Sequence, residues 1–460
     1  MRYRSPRTPG ALLPPLLVLA LALPGCADLA PTYQRPAPAV PDASASAPAI
    51  DAATVGRADF FTDARLRATV ELALVNNRDL RVAALNVQRA RAQFGIQSAA
   101  QEPSVSAGAA TARTNRGDSA SVTLQLSAFE LDLFGRVRNL GEAALQGWLA
   151  SEAGRRSTQI SLVAETAQAW LNLAADLERQ QLARLTLDSR RASLALDERR
   201  HGLGAISGLT LAQSRTQAES ARLDVAAYAS LVEQDRHALE MLLGTALPAE
   251  LAPEAGKPPA EASRLVELPA GVPSELLQRR PDVLQAEHQL RASVASIGVA
   301  RAAQFPRISL TAAAGTASEQ LSGLFRAGSG SWSFGPSLSL PLFDGGANAA
   351  AVESARLDRD IALAQYDKAV QTAFREVADA LSVRAALAER LAAQQAVLAS
   401  AERQLALAEA QHRAGSTGQL ELLDARRTLY AAQLALIALR LTEQGNRLAL
   451  YKVLGGGWQA

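Results

Sequence analysis

Apolar residues recur along this chain at two different intervals, and the change of interval divides it into elements. A seven-residue spacing runs through Leu211, Ala218, Val225, Val232 and Leu239, and again through Leu422, Leu429, Leu436 and Leu450, with Glu443 the one polar member of that series. Val163, Trp170 and Leu177 keep the same interval upstream, as do Leu391, Leu398 and Leu405. Sustained heptads predict helices packed as coiled coils. In four short stretches, at about 103–114, 121–133, 306–316 and 331–343, apolar residues instead fall on every second position. Val122, Leu124, Leu126 and Ala128 share one face in the second stretch; Ile308, Leu310, Ala312 and Ala314 do so in the third, and Trp332, Phe334, Leu338 and Leu340 in the fourth. Their partners on the other face are small or polar. This is the period of a strand, and segments of about ten residues suit tilted strands that cross a bilayer.

The order of elements repeats. Asp79 to Pro103 lies over Asp282 to Pro306 at an offset of 203 without a gap, so that Ala99, Ala100, Gln101 and Pro103 match Ala302, Ala303, Gln304 and Pro306. Farther on the offset is 211, where Gly204, Leu209, Leu211 and Arg215 match Gly415, Leu420, Leu422 and Arg426. Residues 63–244 and 274–455 are therefore two versions of one unit, read as helix, two strands, long helix, break, helix. The linker 245–273 joins them and residues 456–460 form a short tail. Gly135 to His201 and Ala347 to His412 are each predicted to run as one helix of about 100 Å, beyond the ordinary globular range.

The first 25 residues are set apart. Arg2, Arg4 and Arg7 precede an apolar stretch from Leu12 to Leu23 that Pro14 and Pro15 interrupt. It is too short to span a bilayer and reads as a secretory signal. Cys26, the only cysteine in the 460 residues, follows directly in "LALPGC", so no internal disulfide can form. The placement resembles a bacterial lipobox, whose cysteine is lipidated, and Ala27 after it favours the outer membrane. The leader holds three Arg and no acid, so without it the net charge of +2 falls to about −1, which gives no electrostatic reason to expect a nucleic acid. Residues 26–62 begin with a Pro-, Ala- and Ser-rich tether. After Cys26 no apolar run is long enough for a transmembrane helix, so any crossing must be made by strands. Four strands cannot cross alone, because two open edges would put unpaired backbone groups in hydrocarbon. Closure must come from further copies: two give about eight strands and little more than side-chain space, three give about twelve and a lumen.

The lipobox, the duplicated unit and the paired strands occur together with "RRPDV" at 279–283, "LPLFDGG" at 340–346, "HRAGSTGQLELLDARRTL" from His412 and "LYKVLGGGW" near the end. In this combination and order the chain, from about Cys26 to its C-terminus, resembles the TolC/OprM-type outer-membrane efflux channels, and among them the lipoprotein branch that works with resistance-nodulation-division (RND) pumps. The resemblance implies a mainly α protein with a membrane β-barrel: a homotrimer whose twelve-stranded barrel continues into a twelve-helix α-barrel across the periplasm. The N-terminal tether region and the linker 245–273 would belong to an equatorial band. It implies a passive conduit, with a periplasmic adaptor protein and an inner-membrane RND-type pump as partners, outer-membrane lipid around the barrel, and no cofactor beyond a covalent lipid on Cys26. The two Gly-rich breaks become turns at the periplasmic tips of helical hairpins. Gly204, Ala205, Ser207, Gly415, Ser416 and Thr417 are then the candidates for adaptor docking. Leu420 and Asp424, four apart on one helix face, match the residues that narrow the closed periplasmic entrance; Leu209 and Gln213 hold their places in the first unit.

Nothing points to catalysis. His201, His237, His288 and His412 stand apart from one another and from Cys26, without metal-ligand spacing. Asp344 in "LFDGG" is expected to support a turn. The glycines of "GSGSWSFGPS" lack phosphate-loop spacing. A different reading, a lipid-anchored periplasmic coiled-coil scaffold without a pore, accounts for the heptads but has no use for four alternating segments placed symmetrically in both units. Aromatic content is only 4%, and Trp332, Phe334, Phe325 and Phe129 are nearly all that could form the aromatic girdles usual in membrane barrels.

Overall fold

The computed structural model describes residues 27–36, 56–115, 117–254, 256, 265–266 and 279–456; Cys26 and the leader lie outside them. In chain order the main elements are α1 (Ala64–Asn76), α2 (Arg78–Ala99), β1 (Val105–Thr114), β2 (Gly117–Leu131), α3 (Arg136–Gly202), α4 (Gly208–Leu243), α5 (Pro281–Ala302), β3 (Arg307–Ser318), β4 (Gly330–Ser339), α6 (Ala347–Arg413) and α7 (Gln419–Val453). The repeated helices keep the offsets. α5 repeats α2 at the offset of 203, and α6 repeats α3, both 67 residues long, at 211. The step between the two offsets falls in the β3–β4 connection, residues 319–329, where the β1–β2 turn has only 115–116.

The first unit does not begin with a single helix. Asp63 caps α1 by accepting from the Arg65 and Leu66 N–H groups at 2.9 and 3.0 Å. Asn77 then ends α1 and restarts the chain as α2: its Oδ1 accepts from Leu80 N at 2.9 Å, while its Nδ2 donates to the Leu242 carbonyl at the end of α4, also at 2.9 Å. A buried amide that satisfies two elements at once breaks the helix without Gly or Pro.

One compact unit, counted over the described residues, comprises 27–35, 90–148 and 288–363 and contains the sheet. Its four strands are antiparallel in the order β1-β2-β3-β4. Pairing puts Val105, Ala107 and Ala109 of β1 beside Leu126, Leu124 and Val122 of β2, which face Ala312, Ala314 and Thr316 of β3. Ala312 and Ala314 in turn face Phe334 and Trp332 of β4. Directly opposed residues share a face, so one side of the sheet is apolar from edge to edge. The other carries Ser121, Thr123, Gln125, Ser309, Thr311, Ser333 and Ser337.

The expected face of β2 is corrected at Ala128. The register slips between Leu126 and Phe129 by one extra residue on β2, and Ala128 sits in this bulge at φ 42°. Phe129 therefore pairs with Leu310 and Leu131 with Ile308, and these two, in place of Ala128, continue the apolar face. β4 stops at Ser339, short of the 343 expected from the alternation. Three further aromatics lie at the end of the sheet where the helices join, and the sequence reading did not count them. Phe134 and Phe305 stack at 4.7 Å, and Phe343 is 94% exposed.

The other compact unit draws its described residues from 36–89, 149–287 and 364–456. Its core gathers Phe60, Phe61, Leu66, Val70, Val163, Trp170, Leu239, Leu243 and Tyr451, with Phe60 and Tyr451 stacked at 3.9 Å. Along α6, Ala373, Ala380, Leu387, Ala401 and Ala408 are buried at multiples of seven residues, a coiled-coil seam of small side chains. Glu443, the polar member of the α7 series, is held by Arg447 four residues on at 2.8 Å.

Candidate functional site

The two Gly-rich breaks share one backbone solution. Gly204 takes φ 72° and Gly415 φ 70°. After α3, Gly204 N–H bonds the His201 carbonyl at 2.9 Å and Ala205 N–H bonds that of Arg200 at 2.8 Å; after α6, Gly415 and Ser416 repeat the pattern on His412 and Gln411 at 3.1 and 3.0 Å. This is the Schellman ending of a helix, and glycine is demanded at its left-handed position. Among the described residues, no atom beyond the chain neighbours lies within 4 Å of where a Cβ would stand on either glycine, so the dihedral selects it. The two histidines are part of the turns. His201 Nδ1 donates to the Ile206 carbonyl at 3.1 Å, and His412 Nδ1 to that of Thr417 at 3.4 Å. The restarts differ: Ser207 Oγ caps α4 by accepting from Thr210 N–H at 3.2 Å, whereas Gly418 gives α7 no side-chain cap. Ser416 Oγ donates back to the Gln411 carbonyl at 3.0 Å.

Just beyond the turns the candidate gate residues come together with their counterparts. Leu209, Gln213 and Gln217 of α4 and Leu420, Leu423, Asp424 and Arg427 of α7 line one groove of about 350 Å³. Leu420 is 66% exposed. Asp424 is paired with Arg427 one turn on, at 2.5 Å, which identifies the cation that spacing alone left open. Arg426, its neighbour, turns elsewhere, to Ser193 of α3 at 2.9 Å. The candidate anchor Cys26 falls outside the described residues. Ala27 after it donates to the Leu133 carbonyl at 3.0 Å, at the end of β2. From there Asp28 accepts from Asn139 at 2.9 Å and Leu29 from Arg301 at 3.1 Å. Asp344 caps the start of α6 by accepting from Asn348 and Gly346 N–H groups at 2.8 and 2.9 Å, and these bonds hold its carboxyl below the usual range. Among the described residues no three His, Cys, Asp or Glu side chains converge as a metal site would need.

Sequence reasoning missed the charged side chains inside the helical seams. Asp176, Ala183, Arg190 and Asp197 are all buried at seven-residue steps along α3, one heptad position before the apolar series of Val163, Trp170 and Leu177, and charged residues at that spacing carry no apolar signal. Asp176 pairs with Arg179 at 2.5 Å, and Asp235 of α4 stands beside it. Burial, then the Asp176 charge and their mutual hydrogen bond, push the Asp235 carboxyl up to about 6, against the pull of Arg179. A folded-state value above the unfolded one means that stability is greatest below the ordinary carboxylate range and falls as pH rises to about 6. Asp235→Asn is therefore expected to stabilise the protein at pH 7.5 by about 1–2 kcal/mol. Urea midpoints at pH 7.5 and pH 4 test this: the advantage should vanish at the lower pH, and an equal advantage at both would remove the titration from the account.

The comparisons agree with these features. The profile of the family described as outer membrane efflux protein matches residues 69–245 and 272–456. The chain is 44% identical to the toluene efflux pump outer membrane protein TtgC of Pseudomonas putida, over 96% of this chain and 95% of that one. It is 40% identical to the cation efflux system protein CusC of Escherichia coli O157:H7, over 98% and 100%. Among solved structures, the open state of the MtrE outer membrane channel of Neisseria gonorrhoeae matches with a TM-score of 0.85 and 36% identity, over 94% of this chain and 99% of that one.

Proposed function

This chain belongs to the outer membrane efflux protein family, as an outer-membrane channel of an efflux system, and from that premise we propose how it conducts. Three copies close their sheets into one barrel, and solutes handed over by a periplasmic adaptor and an inner-membrane RND-type pump pass through it without chemistry. The observation that carries this reading is the sheet. Its apolar side runs unbroken from β1 to β4, and both edge strands are exposed along their whole length. An edge of that kind in a membrane demands a neighbouring strand. The hydroxyl- and amide-bearing side, which also holds the Glu130–Arg307 ion pair at 3.0 Å, then becomes a polar, wetted wall.

In this reading the turns at Gly204, Ala205 and Ser207 and at Gly415, Ser416 and Thr417 receive the adaptor. Leu420 forms the apolar constriction at the periplasmic entrance. Asp424 and Arg427 add a ring of ion pairs, so the three carboxylates meet with part of their repulsion already offset within each chain. Cys26 carries lipid, and the bond from Ala27 to Leu133 favours an anchor beside the base of the barrel. TtgC is named for toluene and CusC for cations, though both are similar to this chain at 40% or more; we infer that the pump selects the cargo.

Single-channel recording in planar bilayers tests the gate and the pore together. The unmodified oligomer is expected to open rarely and to small conductance. Asp424→Ala, which leaves Arg427 unpaired and removes the carboxylates from the ring, should open more often and more widely. A large conductance in both proteins would place the gate elsewhere. Folded protein that never conducts would favour the lipid-anchored scaffold.

A further inference from the structure

Charge is unevenly compensated where α3, α6 and α7 meet. Arg190 of α3 is only 6% exposed, and its Nη1 has no hydrogen-bond partner among the described residues. Beside it lies a second guanidinium, Arg426 of α7, whose charge together with burial weakens the hold of Arg190 on its own proton, burial being the larger cause. Arg426 gains little compensation. Its Nη1 donates to Ser193 Oγ at 2.9 Å, a neutral acceptor whose own hydrogen goes to the Ser189 carbonyl at 3.1 Å. Its Nη2 reaches Glu409 of α6 only at 3.5 Å, and that carboxylate is 42% exposed. Arg426 thus has one distant, solvated anion, and Arg190 has no ion pair among the described residues. A lysine or histidine so placed could shed its proton, but arginine does not, and an unpaired buried charge is among the costliest features a fold can carry.

We propose that Arg190 and Arg426 form an anion site between α3 and α7 that takes one oxyanion, either a free ion of the sulfate or phosphate class or a carboxylate presented by a second copy of the chain. The planar fork of a guanidinium matches two oxygens of such a group. The site joins the two hairpins: Arg190 lies on the limb that leads into the first turn, and Arg426 adjoins Arg427, the partner of Asp424. A bound anion bridges α3 to α7 and holds them together, whereas two bare like charges drive them apart. The consequence for gating rests on the channel reading above; the binding itself does not.

The test uses the detergent-extracted oligomer, with sodium sulfate exchanged for sodium chloride at fixed ionic strength, and reads the melting midpoint and the oligomeric state rather than conductance. A free-anion site raises the midpoint of the unmodified protein saturably with sulfate. Arg190→Gln and, independently, Arg426→Gln lose that rise, and Arg190→Lys keeps part of it. If a second copy supplies the carboxylate, the unmodified midpoint ignores sulfate, while Arg190→Gln and Arg426→Gln fall apart into folded single chains under milder conditions than Arg190→Lys. A sulfate response that survives both Gln substitutions overturns the proposal. So does a sulfate-indifferent protein whose Arg190→Gln variant melts and assembles as the unmodified one does. A protein that binds sulfate here yet never conducts would fail the channel reading and leave the site standing.

Discussion

Arg280→Ala is expected to lower the stability of the helical unit by about 3 kcal/mol. Arg280 is buried where α5 begins, and each of its nitrogens is used. Nε and Nη2 grip Asp282 at 3.0 and 2.7 Å, Nη2 also reaches Glu376 of α6 at 2.8 Å, and Nη1 donates to the Val453 carbonyl at the end of α7 at 3.1 Å. One side chain therefore fixes the ends of two helices to the middle of a third. Its removal leaves two carboxylates without their cation and a helix-terminal carbonyl without its donor. The figure sits in the lower part of the range for broken buried pairs because Asp282 and Glu376 each keep about a third of their side-chain surface exposed. Arg280→Lys should recover little, since an ammonium cannot span three acceptors as the fork does. Urea unfolding followed by helical circular dichroism reads both variants; a loss under about 1 kcal/mol would make the cluster a surface pair in energetic terms.

The "RRPDV" stretch that carries this cluster was legible only as a marker of resemblance, because its partners Glu376 and Val453 lie far along the chain. Other features were legible directly. The offsets 203 and 211 were fixed by matched residues such as Gln101 with Gln304 and Gly204 with Gly415, and they recur as the spacing of whole helices because each repeat is one folding pattern used twice. The strands were visible because a sheet with one apolar side imposes a period of two. The bulge at Ala128 was not, since one extra residue leaves composition unchanged and shows only when Leu126 and Phe129 are paired with β3. At Asn77 only half of the break between α1 and α2 is local, its cap on Leu80 N–H; the other half, the bond to the Leu242 carbonyl, is remote in sequence. In the candidate gate, Leu420 and Asp424 could be placed on one face by spacing. That Asp424 turns to Arg427 and Arg426 to Ser193 depends on which side of α7 meets α3, and nearest-neighbour reasoning along the chain does not contain that.

Trp170→Ala is expected to cost about 3–5 kcal/mol, the range for emptying a buried aromatic site. Trp170 is 0% exposed, a member of the heptad that runs through Val163 and Leu177, and it shares a core with Phe60, Phe61 and Tyr451. Beyond packing, its Nε1 donates to the Leu251 carbonyl at 2.9 Å, so the ring also pins the start of the linker between the two repeats onto α3. The two contributions separate in Trp170→Phe, which keeps most of the ring volume but leaves that carbonyl without its donor. It should cost only about 1–2 kcal/mol. Urea midpoints of the three proteins, with proteolysis between residues 245 and 273 as a second reading, distinguish the roles. If packing dominates, Phe lies near the unmodified protein in stability, while cleavage of the linker rises in both variants because neither can hold Leu251. If Phe is as unstable as Ala, the hydrogen bond and the linker it fixes dominate this part of the core, and the heptad around Trp170 serves chiefly to bring the indole nitrogen to Leu251.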